Sequence, residues 1–426
     1  MKNRRIMAAL SLLLFLGACS GFAKGVTEAV LERSEREDQR QCHIDGPASQ
    51  GLAHVLAAQE AGGEGLVRRE LKVMMVHGIG SQIPGYSGRL TEHLTAALDL
   101  TVRSSERKEL ELWDHMVSDE PLGQLSVDLY TNPEHSRRLV FYELTWAGII
   151  REEKKRITFD NATEHSFRRT QLNALMKRFI NDTIPDAFIY LGDSQLKILT
   201  SVSQGFCWMT SGNWEDLPLR ASERCDPANE TRAKFAREDD FAFISHSLGS
   251  RIAIDVLQQA TDIANRPDDP TTRDLTAIFR DREIPLYMLS NQLPLLEMGR
   301  PPPVVHEQIT EYCEPDGALT EGRQVGRLNI YAFSDPNDLL SYPIPRRFAA
   351  ERIDSRICPS ITNISVNVAK PINLFGVSEF ANPLAAHVNY DHDERVIDLI
   401  AFGIGPGQAS PLIEERCSWV ETADPR

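Results

Sequence analysis

The sequence has no excess of basic residues. Its 426 residues include 46 Lys and Arg against 61 Asp and Glu, which gives a formal net charge of −15. A chain with this balance offers no basic surface for a nucleic acid backbone and no electrostatic attraction to an anionic membrane. We therefore expect no nucleic acid partner, and any attachment to a membrane has to come from another source.

Long apolar runs, repeats and paired cysteine motifs are also missing. The apolar run near the start, Ile6 to Leu16, is too short to cross a bilayer as a helix. No internal repeat or heptad pattern is present, which argues against a solenoid or a coiled coil. None of the 7 cysteines stands in a CxxC pair, so neither a zinc site nor a thioredoxin-like centre is indicated. We expect no metal and no other cofactor.

The first residues have the order of a secretory signal peptide, with a basic stretch at residues 2–5 followed by the apolar run Ile6 to Leu16. The run ends in Leu16-Gly17-Ala18-Cys19, which resembles a bacterial lipobox. In such signals the cysteine is lipidated and becomes the mature N-terminus, and several acyl chains anchor a protein stably. The resemblance implies a lipid-anchored protein of the bacterial cell envelope. The alternative is an ordinary signal peptide that is cut after Ala18.

The residue after the lipobox cysteine narrows the expected location. Ser20, rather than Asp, follows Cys19. In the lipoproteins that this signal resembles, that choice implies the outer membrane, with the protein facing the periplasm or the cell surface.

Cysteine usage agrees with an oxidising compartment. If Cys19 is lipidated, six cysteines remain, and an even number permits disulfides, although six cysteines allow about 15 connectivities. Proximity in sequence favours Cys207–Cys225 and Cys313–Cys358. Cys42–Cys417 would then join the two ends of the mature chain.

Two short motifs each follow an apolar run that is typical of a buried strand. The run Phe241 to Ile244 leads into Ser245-His246-Ser247-Leu248-Gly249 and then into a helical pattern. The run Val73 to Val76 leads into His77-Gly78-Ile79-Gly80-Ser81. Small residues beside a serine let its hydroxyl stand clear of a tight turn, and glycine lets a backbone N–H face a substrate oxygen.

In this order the two motifs resemble the nucleophile elbow and the HG-type oxyanion loop of α/β-hydrolases, closest in style to bacterial lipases and esterases. Ser245 stands where the elbow usually has its first glycine. The resemblance covers roughly Leu71 to Ile404. It implies an α/β fold with a mostly parallel central sheet, helices on both faces and helical or loop insertions. It implies Ser247 as nucleophile, an oxyanion hole formed by the N–H groups of Ile79 and Leu248, and supporting roles for His77, Gly78, His246 and Gly249.

The family orders its triad as serine, acid and histidine, so the acid should follow Ser247 along the chain. The strand-like run from Arg327 to Phe333 leads to two aspartates, Asp335 and Asp338. Asp338 fits the family better, because apolar residues and a proline follow it. Asp335 precedes a proline and is typical of a turn. We predict Asp338 as the triad acid and keep Asp335 as the alternative.

The resemblance also implies a final histidine on a loop before the last helix. His387 precedes a tyrosine and a helical pattern, and it is the predicted general base. His392, between Asp391 and Asp393, is more simply an exposed residue at the start of that helix. A metal site at these three residues is weakly supported, because adjacent residues of a helix do not face one another.

We divide the chain into a signal peptide at 1–18, a tether at 19–68, a hydrolase domain at 69–405 and a tail at 406–426. The stretch 149–238 is longer than an ordinary connection in an α/β domain. Helical spacing runs from Leu175 to Ser201, and Pro185 should kink or split that helix. The stretch is either a crossover helix with surface decoration or a lid over the active site.

Three functions remain open from sequence. The first is an envelope esterase or lipase that cleaves an acyl ester or lipid. The second is an amidase, peptidase or thioesterase with the same triad, because fold and triad are shared among these activities. The third is a non-catalytic surface lipoprotein that uses a hydrolase scaffold. No protein partner is identifiable.

Overall fold

The computed structural model describes residues 40–61, 69–103, 107–162, 165–264, 276–374, 378–405 and 407–422. The signal peptide, the lipobox cysteine Cys19 and most of the predicted tether lie outside the described residues. So do residues 265–275.

One mixed sheet of 12 strands organises the chain. Six neighbouring strands at its centre, in the order β12-β11-β10-β9-β3-β7, all run parallel. Antiparallel strands flank this block on both sides. The structure therefore belongs to the α/β class. The strands are β1 (Cys42–Asp45), β2 (Ser49–Gln50), β3 (Leu71–Val76), β4 (Thr101–Val102), β5 (Lys108–Leu112), β6 (Gly123–Thr131), β7 (Arg138–Thr145), β8 (Arg220–Glu223), β9 (Asp240–His246), β10 (Glu283–Leu289), β11 (Arg327–Ser334), β12 (Pro359–Val366), β13 (Ile372–Leu374), β14 (Ser378–Phe380), β15 (Gly403–Ile404) and β16 (Cys417–Val420).

Helices cover both faces of the sheet. Successive residues of a strand point to opposite faces, and β3 follows this rule: Met74 and Val76 join one apolar core, while Val73 and Met75 join the other. The helices are α1 (Leu52–Ala61), α2 (Gly88–Ala97), α3 (Arg151–Thr158), α4 (Gln171–Tyr190), α5 (Gln195–Ser211), α6 (Thr231–Glu238), α7 (Gly249–Ala264), α8 (Leu293–Leu296), α9 (Ile309–Cys313), α10 (Phe348–Arg352), α11 (Pro383–Val388), α12 (Glu394–Phe402) and α13 (Pro411–Arg416).

The two ends of the described chain are part of this body. Strand β1, which the sequence assigned to the tether, pairs with β12 on one side and with β16, from the predicted tail, on the other. The Cys42–Cys417 disulfide joins the same two strands. The predicted boundaries of the tether and the tail are therefore corrected, because the folded body includes residues 42–61 and 411–420. Their strands are too short for periodicity to identify, and contacts with distant parts of the chain stabilise them.

Disulfides join all three predicted cysteine pairs: the two that proximity in sequence favours and Cys42–Cys417, the pair that then remains. Besides the pair that links the chain ends, Cys207–Cys225 lies within the 149–238 stretch. The third pair, Cys313–Cys358, connects α9 to the residue before β12.

The 149–238 stretch contains helices α3 to α6 and strand β8. The helix is not split at Pro185, because α4 runs through it from Gln171 to Tyr190. A proline removes one helical hydrogen bond, and the helix tolerates that loss. The break comes instead at residues 191–194, where Gly192 precedes α5. Within the described residues, no helix combines the length and apolar character that a membrane span requires.

Candidate active site

Ser247 lies on a sharp turn between the end of β9 and the start of α7. Its φ angle is +57°, a conformation that is strained for a residue with a side chain. Its N–H donates to the Leu289 carbonyl on the neighbouring strand at 2.9 Å. The turn requires a glycine at position 249, because a Cβ there would lie 2.4 Å from the Val76 carbonyl oxygen. The turn thus packs directly against the end of β3.

The 77–81 loop, which follows β3, contacts this turn. A Cβ on Gly78 would lie 2.5 Å from the Ser247 Cβ and 2.9 Å from the Leu248 nitrogen. Only glycine permits so close an approach of the two backbones. The two sequence motifs therefore meet in space, because their strands β3 and β9 are parallel neighbours.

His387 and Asp338 complete a hydrogen-bonded relay with Ser247. His387 Nε2 lies 3.1 Å from Ser247 Oγ, and His387 Nδ1 lies 3.0 Å from Asp338 Oδ2. All three side chains are buried, and Ser247 has no exposed surface. The pattern assigns the proton to Nδ1, which leaves Nε2 as the acceptor for the serine hydroxyl. The relay can therefore take a proton from Ser247.

The charge state of Asp338 suits this arrangement. Burial opposes ionisation, but the hydrogen bond and charge of His387, with the Leu340 N–H and the Ser290 hydroxyl, together lower the pKa of Asp338 below its ordinary value. A carboxylate at this position would stabilise an imidazolium.

Asp335, the alternative acid, has a different set of partners. Its Oδ1 accepts the Asn337 N–H at 2.7 Å, and its Oδ2 accepts the Ala369 N–H at 3.0 Å. The structure brings Asp338, and not Asp335, to His387. Asp335 forms the turn that its neighbouring proline indicates.

His387 lies in a short helix rather than in the expected loop. Helix α11 runs from Pro383 to Val388, and the Asn382 side chain caps it by accepting the Leu384 N–H at 3.0 Å. The proline at the first helical position suits a helix start. Asn382 and Pro383, five and four residues upstream of His387, are the sequence signal for this helix.

Two backbone N–H groups, in the 77–81 loop and in the turn of Ser247, are candidates for an oxyanion hole. Among the described residues, the N–H groups of Ile79 and Leu248 donate to no protein acceptor. The Gly80 N–H is already occupied, because it donates to Asp186 Oδ2 at 2.6 Å. Of these three groups, Ile79 and Leu248 are therefore the ones left to bind a ligand oxygen, as the family resemblance implies.

Asp186 comes from α4 and has no exposed surface. Lys154 Nζ, from α3, lies 3.0 Å from its Oδ1. Burial raises the pKa of Asp186 above its ordinary value, although the Gly80 N–H and Lys154 both favour the carboxylate. Sequence reasoning missed this contact, since nothing local links residue 186 to residue 80. It brings the 149–238 stretch against the 77–81 loop.

The two other histidines beside the relay are neutral; His77 is buried and His246 is largely buried. His77 stacks on Trp146 at 4.5 Å and accepts its backbone N–H at 3.1 Å. His246 Nε2 donates to the His387 carbonyl at 2.8 Å. Burial lowers the pKa of His77 to about 3 and that of His246 to about 4. Both hold neighbouring backbone in place, as the sequence predicts for them.

His392 is separate from the relay. Its ring is partly exposed and lies 2.7 Å from Asp391 Oδ1. Asp393 instead caps α12 by accepting the Arg395 N–H. No group of three potential metal ligands occurs in the described part of the chain.

Ser290 is a further contact that sequence reasoning missed. Its hydroxyl lies 2.7 Å from Asp338 Oδ2 and 2.9 Å from His387 Nδ1. A serine at the end of a strand carries no distinctive pattern, so no sequence signal was available for it.

Comparison with known proteins adds no assignment. No family model matches the chain, and no curated protein or solved structure gives a significant match.

Proposed function

We propose that this protein is a serine hydrolase of the α/β-hydrolase fold that cleaves an acyl ester. The observation that carries the proposal is the relay from Ser247 through His387 to Asp338, with distances of 3.1 Å and 3.0 Å. The strained φ of Ser247 is a second support. A strained backbone at a serine whose hydroxyl lies beside the Nε2 atom of a histidine is typical of a nucleophile. This strain has no evident structural purpose.

The reaction follows from these roles. Ser247 Oγ attacks the ester carbonyl carbon while His387 Nε2 takes the hydroxyl proton. The same proton passes to the departing alkoxide, which leaves as an alcohol. Water then attacks the acyl-serine, gives a proton to His387 and releases the carboxylic acid, and the proton returns to Ser247.

The N–H groups of Ile79 and Leu248 would stabilise the oxyanion of both tetrahedral intermediates. The loss of one such donor typically costs about 3 kcal/mol of transition-state stabilisation. Asp338 would hold the Nδ1–H tautomer of His387 and stabilise the imidazolium.

An ester with an apolar acyl group suits the surroundings of the relay. Three of the segments that supply a part of the site also carry an exposed apolar side chain close by in sequence. Ile83 follows the 77–81 loop and is 69% exposed, and Leu339 follows Asp338 and is 71% exposed. Leu384, three residues before His387, is 49% exposed. Amide or thioester hydrolysis by the same triad is the second candidate.

We also propose that the protein is anchored in the bacterial cell envelope, facing the periplasm or the surface from the outer membrane. The lipobox-like segment that ends at Cys19 supports this location, and three disulfides are consistent with an oxidising compartment. A Cys19→Ser variant should leave the membrane fraction and appear in the soluble periplasmic fraction. If that variant remained in the membrane, the lipid anchor would be wrong.

Labelling with a fluorophosphonate tests the activity. The wild-type protein should react, and Ser247→Ala should not. Ser360→Ala is the matched control. Ser360 is also a buried serine, but its hydroxyl, unlike that of Ser247, has no hydrogen-bond partner. A wild-type protein that neither reacts with the probe nor hydrolyses p-nitrophenyl esters would support the non-catalytic scaffold instead. Esters of short and long acyl chains, compared with matched amides and thioesters, would then define the substrate class.

A further inference from the structure

Ser290 occupies the first position after β10, beside the turn that holds Ser247. Its φ angle is +50°, so two serines in the same unusual conformation end two neighbouring parallel strands. The residue before it, Leu289, accepts the Ser247 N–H at 2.9 Å. Ser290 itself has no exposed surface. Its side chain is therefore buried beside Asp338 and the Nδ1 atom of His387.

The direction of the Ser290 hydrogen bonds follows from the number of protons. His387 Nε2 accepts from Ser247, so Nδ1 carries a proton and can only donate. Ser290 has a single hydroxyl proton, and Asp338 is a carboxylate that can only accept. Ser290 must therefore donate to Asp338 Oδ2 at 2.7 Å. The single Nδ1–H is shared between Asp338 Oδ2 at 3.0 Å and a lone pair of Ser290 Oγ at 2.9 Å. The three groups form a closed ring of hydrogen bonds.

The next two residues attach this position to both halves of the site. Asn291 Nδ2 donates to the Tyr342 carbonyl at 2.7 Å, and the Tyr342 N–H returns a bond to the Asn291 carbonyl at 2.8 Å. These bonds fix the loop that carries Asp338. The Gln292 N–H lies 3.2 Å from Ser250 Oγ, which donates to the Ser247 carbonyl at 2.7 Å. The 290–292 segment thus connects the loop of Asp338 to the turn of Ser247.

We infer that Ser290 is a positioning residue of the relay. Its hydroxyl holds the Asp338 carboxylate and the Nδ1 side of the His387 ring in a fixed relative position. This inference rests on the proposed function for its effect on rate. Ser290 lies on the Nδ1 side of the ring, whereas Ser247 lies on the Nε2 side, so Ser290 is not placed to contact substrate. Its loss should therefore lower kcat and leave KM unchanged.

Two substitutions separate the hydroxyl from the backbone. Ser290→Ala keeps a Cβ in the strained conformation, whereas Ser290→Gly relieves the strain. Both remove the hydroxyl, and both should lower kcat for a p-nitrophenyl ester about tenfold, as expected when one buried hydrogen bond at a reacting group is lost. Ser360→Ala, which removes a buried hydroxyl without a partner, should keep the wild-type kcat.

A second measurement does not depend on turnover. The Nδ1 proton of His387 should give a low-field proton NMR signal, which is identified by its loss in His387→Gln. In both Ser290 variants this signal should broaden through faster exchange with water, and in Ser360→Ala it should persist. A hydroxyl that merely filled space would leave the signal unchanged.

The inference is overturned if both variants keep the wild-type kcat, or if the signal is unaffected by either substitution. A loss of rate in Ser290→Ala alone would assign the effect to the backbone and also overturn it. If the wild-type protein neither hydrolyses esters nor reacts with a fluorophosphonate, the proposed function fails. The NMR comparison then still decides whether Ser290 holds His387 and Asp338.

Discussion

Asp186 accepts the backbone N–H of Gly80 at 2.6 Å across 106 residues of sequence. The bond ties helix α4 to the 77–81 loop, whose neighbouring N–H group on Ile79 is the proposed oxyanion donor. Lys154 completes the contact by pairing with Asp186 at 3.0 Å. The conformation of the 77–81 loop therefore depends on the 149–238 stretch.

Asp186→Ala should lower both stability and activity. Removal of one partner of a buried ion pair typically costs about 3–5 kcal/mol, and the carboxylate that Lys154 would retain at 3.1 Å, that of Asp182, is half-exposed. The kcat should fall because the loop loses its anchor. Urea unfolding and ester hydrolysis measure the two effects. Asp182→Ala, on the same helix, removes only exposed contacts, those with Lys154 and the Ser81 hydroxyl, and should cost no more than about 1 kcal/mol. An unchanged kcat in folded Asp186→Ala would refute the role of this contact.

Asp338→Asn should reduce kcat by about 10⁴, the loss known for this substitution in a serine protease triad, because an amide can favour the wrong imidazole tautomer. Asp335→Asn is the matched comparison. Asp335 accepts two backbone N–H groups and does not contact His387, so its substitution should act on stability and spare kcat. The test is to measure kcat for ester hydrolysis by both purified variants and to correct it for the folded fraction. The reverse order of effects would exchange the two roles.

The buried His77 should make stability depend on pH. Its pKa is about 3 in the folded protein against an ordinary value of 6.5, so the unfolded chain binds a proton that the folded protein excludes. Its contribution is complete above pH 6.5 and is lost as the pH falls towards 3. Between pH 7 and pH 5 this amounts to about 2 kcal/mol.

Substitution of His77 isolates that contribution. His77→Gln should unfold with a smaller loss of stability between pH 7 and pH 5 than the wild-type protein, by about 2 kcal/mol. Urea titrations at the two pH values measure the difference. His392→Gln, at a partly exposed position, should keep the wild-type dependence. An equal dependence in all three proteins would show that His77 takes up its proton in the folded state.

The disulfide between the chain ends should stabilise more than the local one. Cys42 and Cys417 are 375 residues apart, whereas Cys207 and Cys225 are 18 apart. Loop-closure entropy predicts a loss of about 6 kcal/mol for the paired Cys42→Ser and Cys417→Ser variant, against about 3 kcal/mol for the Cys207 and Cys225 pair. Urea unfolding of the two double variants compares them. Equal losses would mean that native packing, rather than loop length, decides the contribution.

Several features of the fold could be predicted from the sequence. The runs Val73 to Val76 and Phe241 to Ile244 are continuous and apolar, and each lies within a strand of the parallel block, β3 and β9. Such runs are recognisable because both faces of a central parallel strand are buried. Small residues after these runs indicate the two turns. The residue types that follow Asp338 and His387 predict these two as the acid and the base of the triad.

Tertiary structure decided the remaining contacts. The partnership of His387 with Asp338 spans 49 residues, and the pairing of β1 with β16 spans almost the whole chain. Ser290 and Asp186 show no local pattern, because a single polar residue gains its role only from the group that folding brings to it. The sequence determined by itself the apolar periods, the turn residues and the candidate side chains, which are local properties. Distances between those side chains depend on strand order and helix packing, which arise from contacts between residues far apart in the chain.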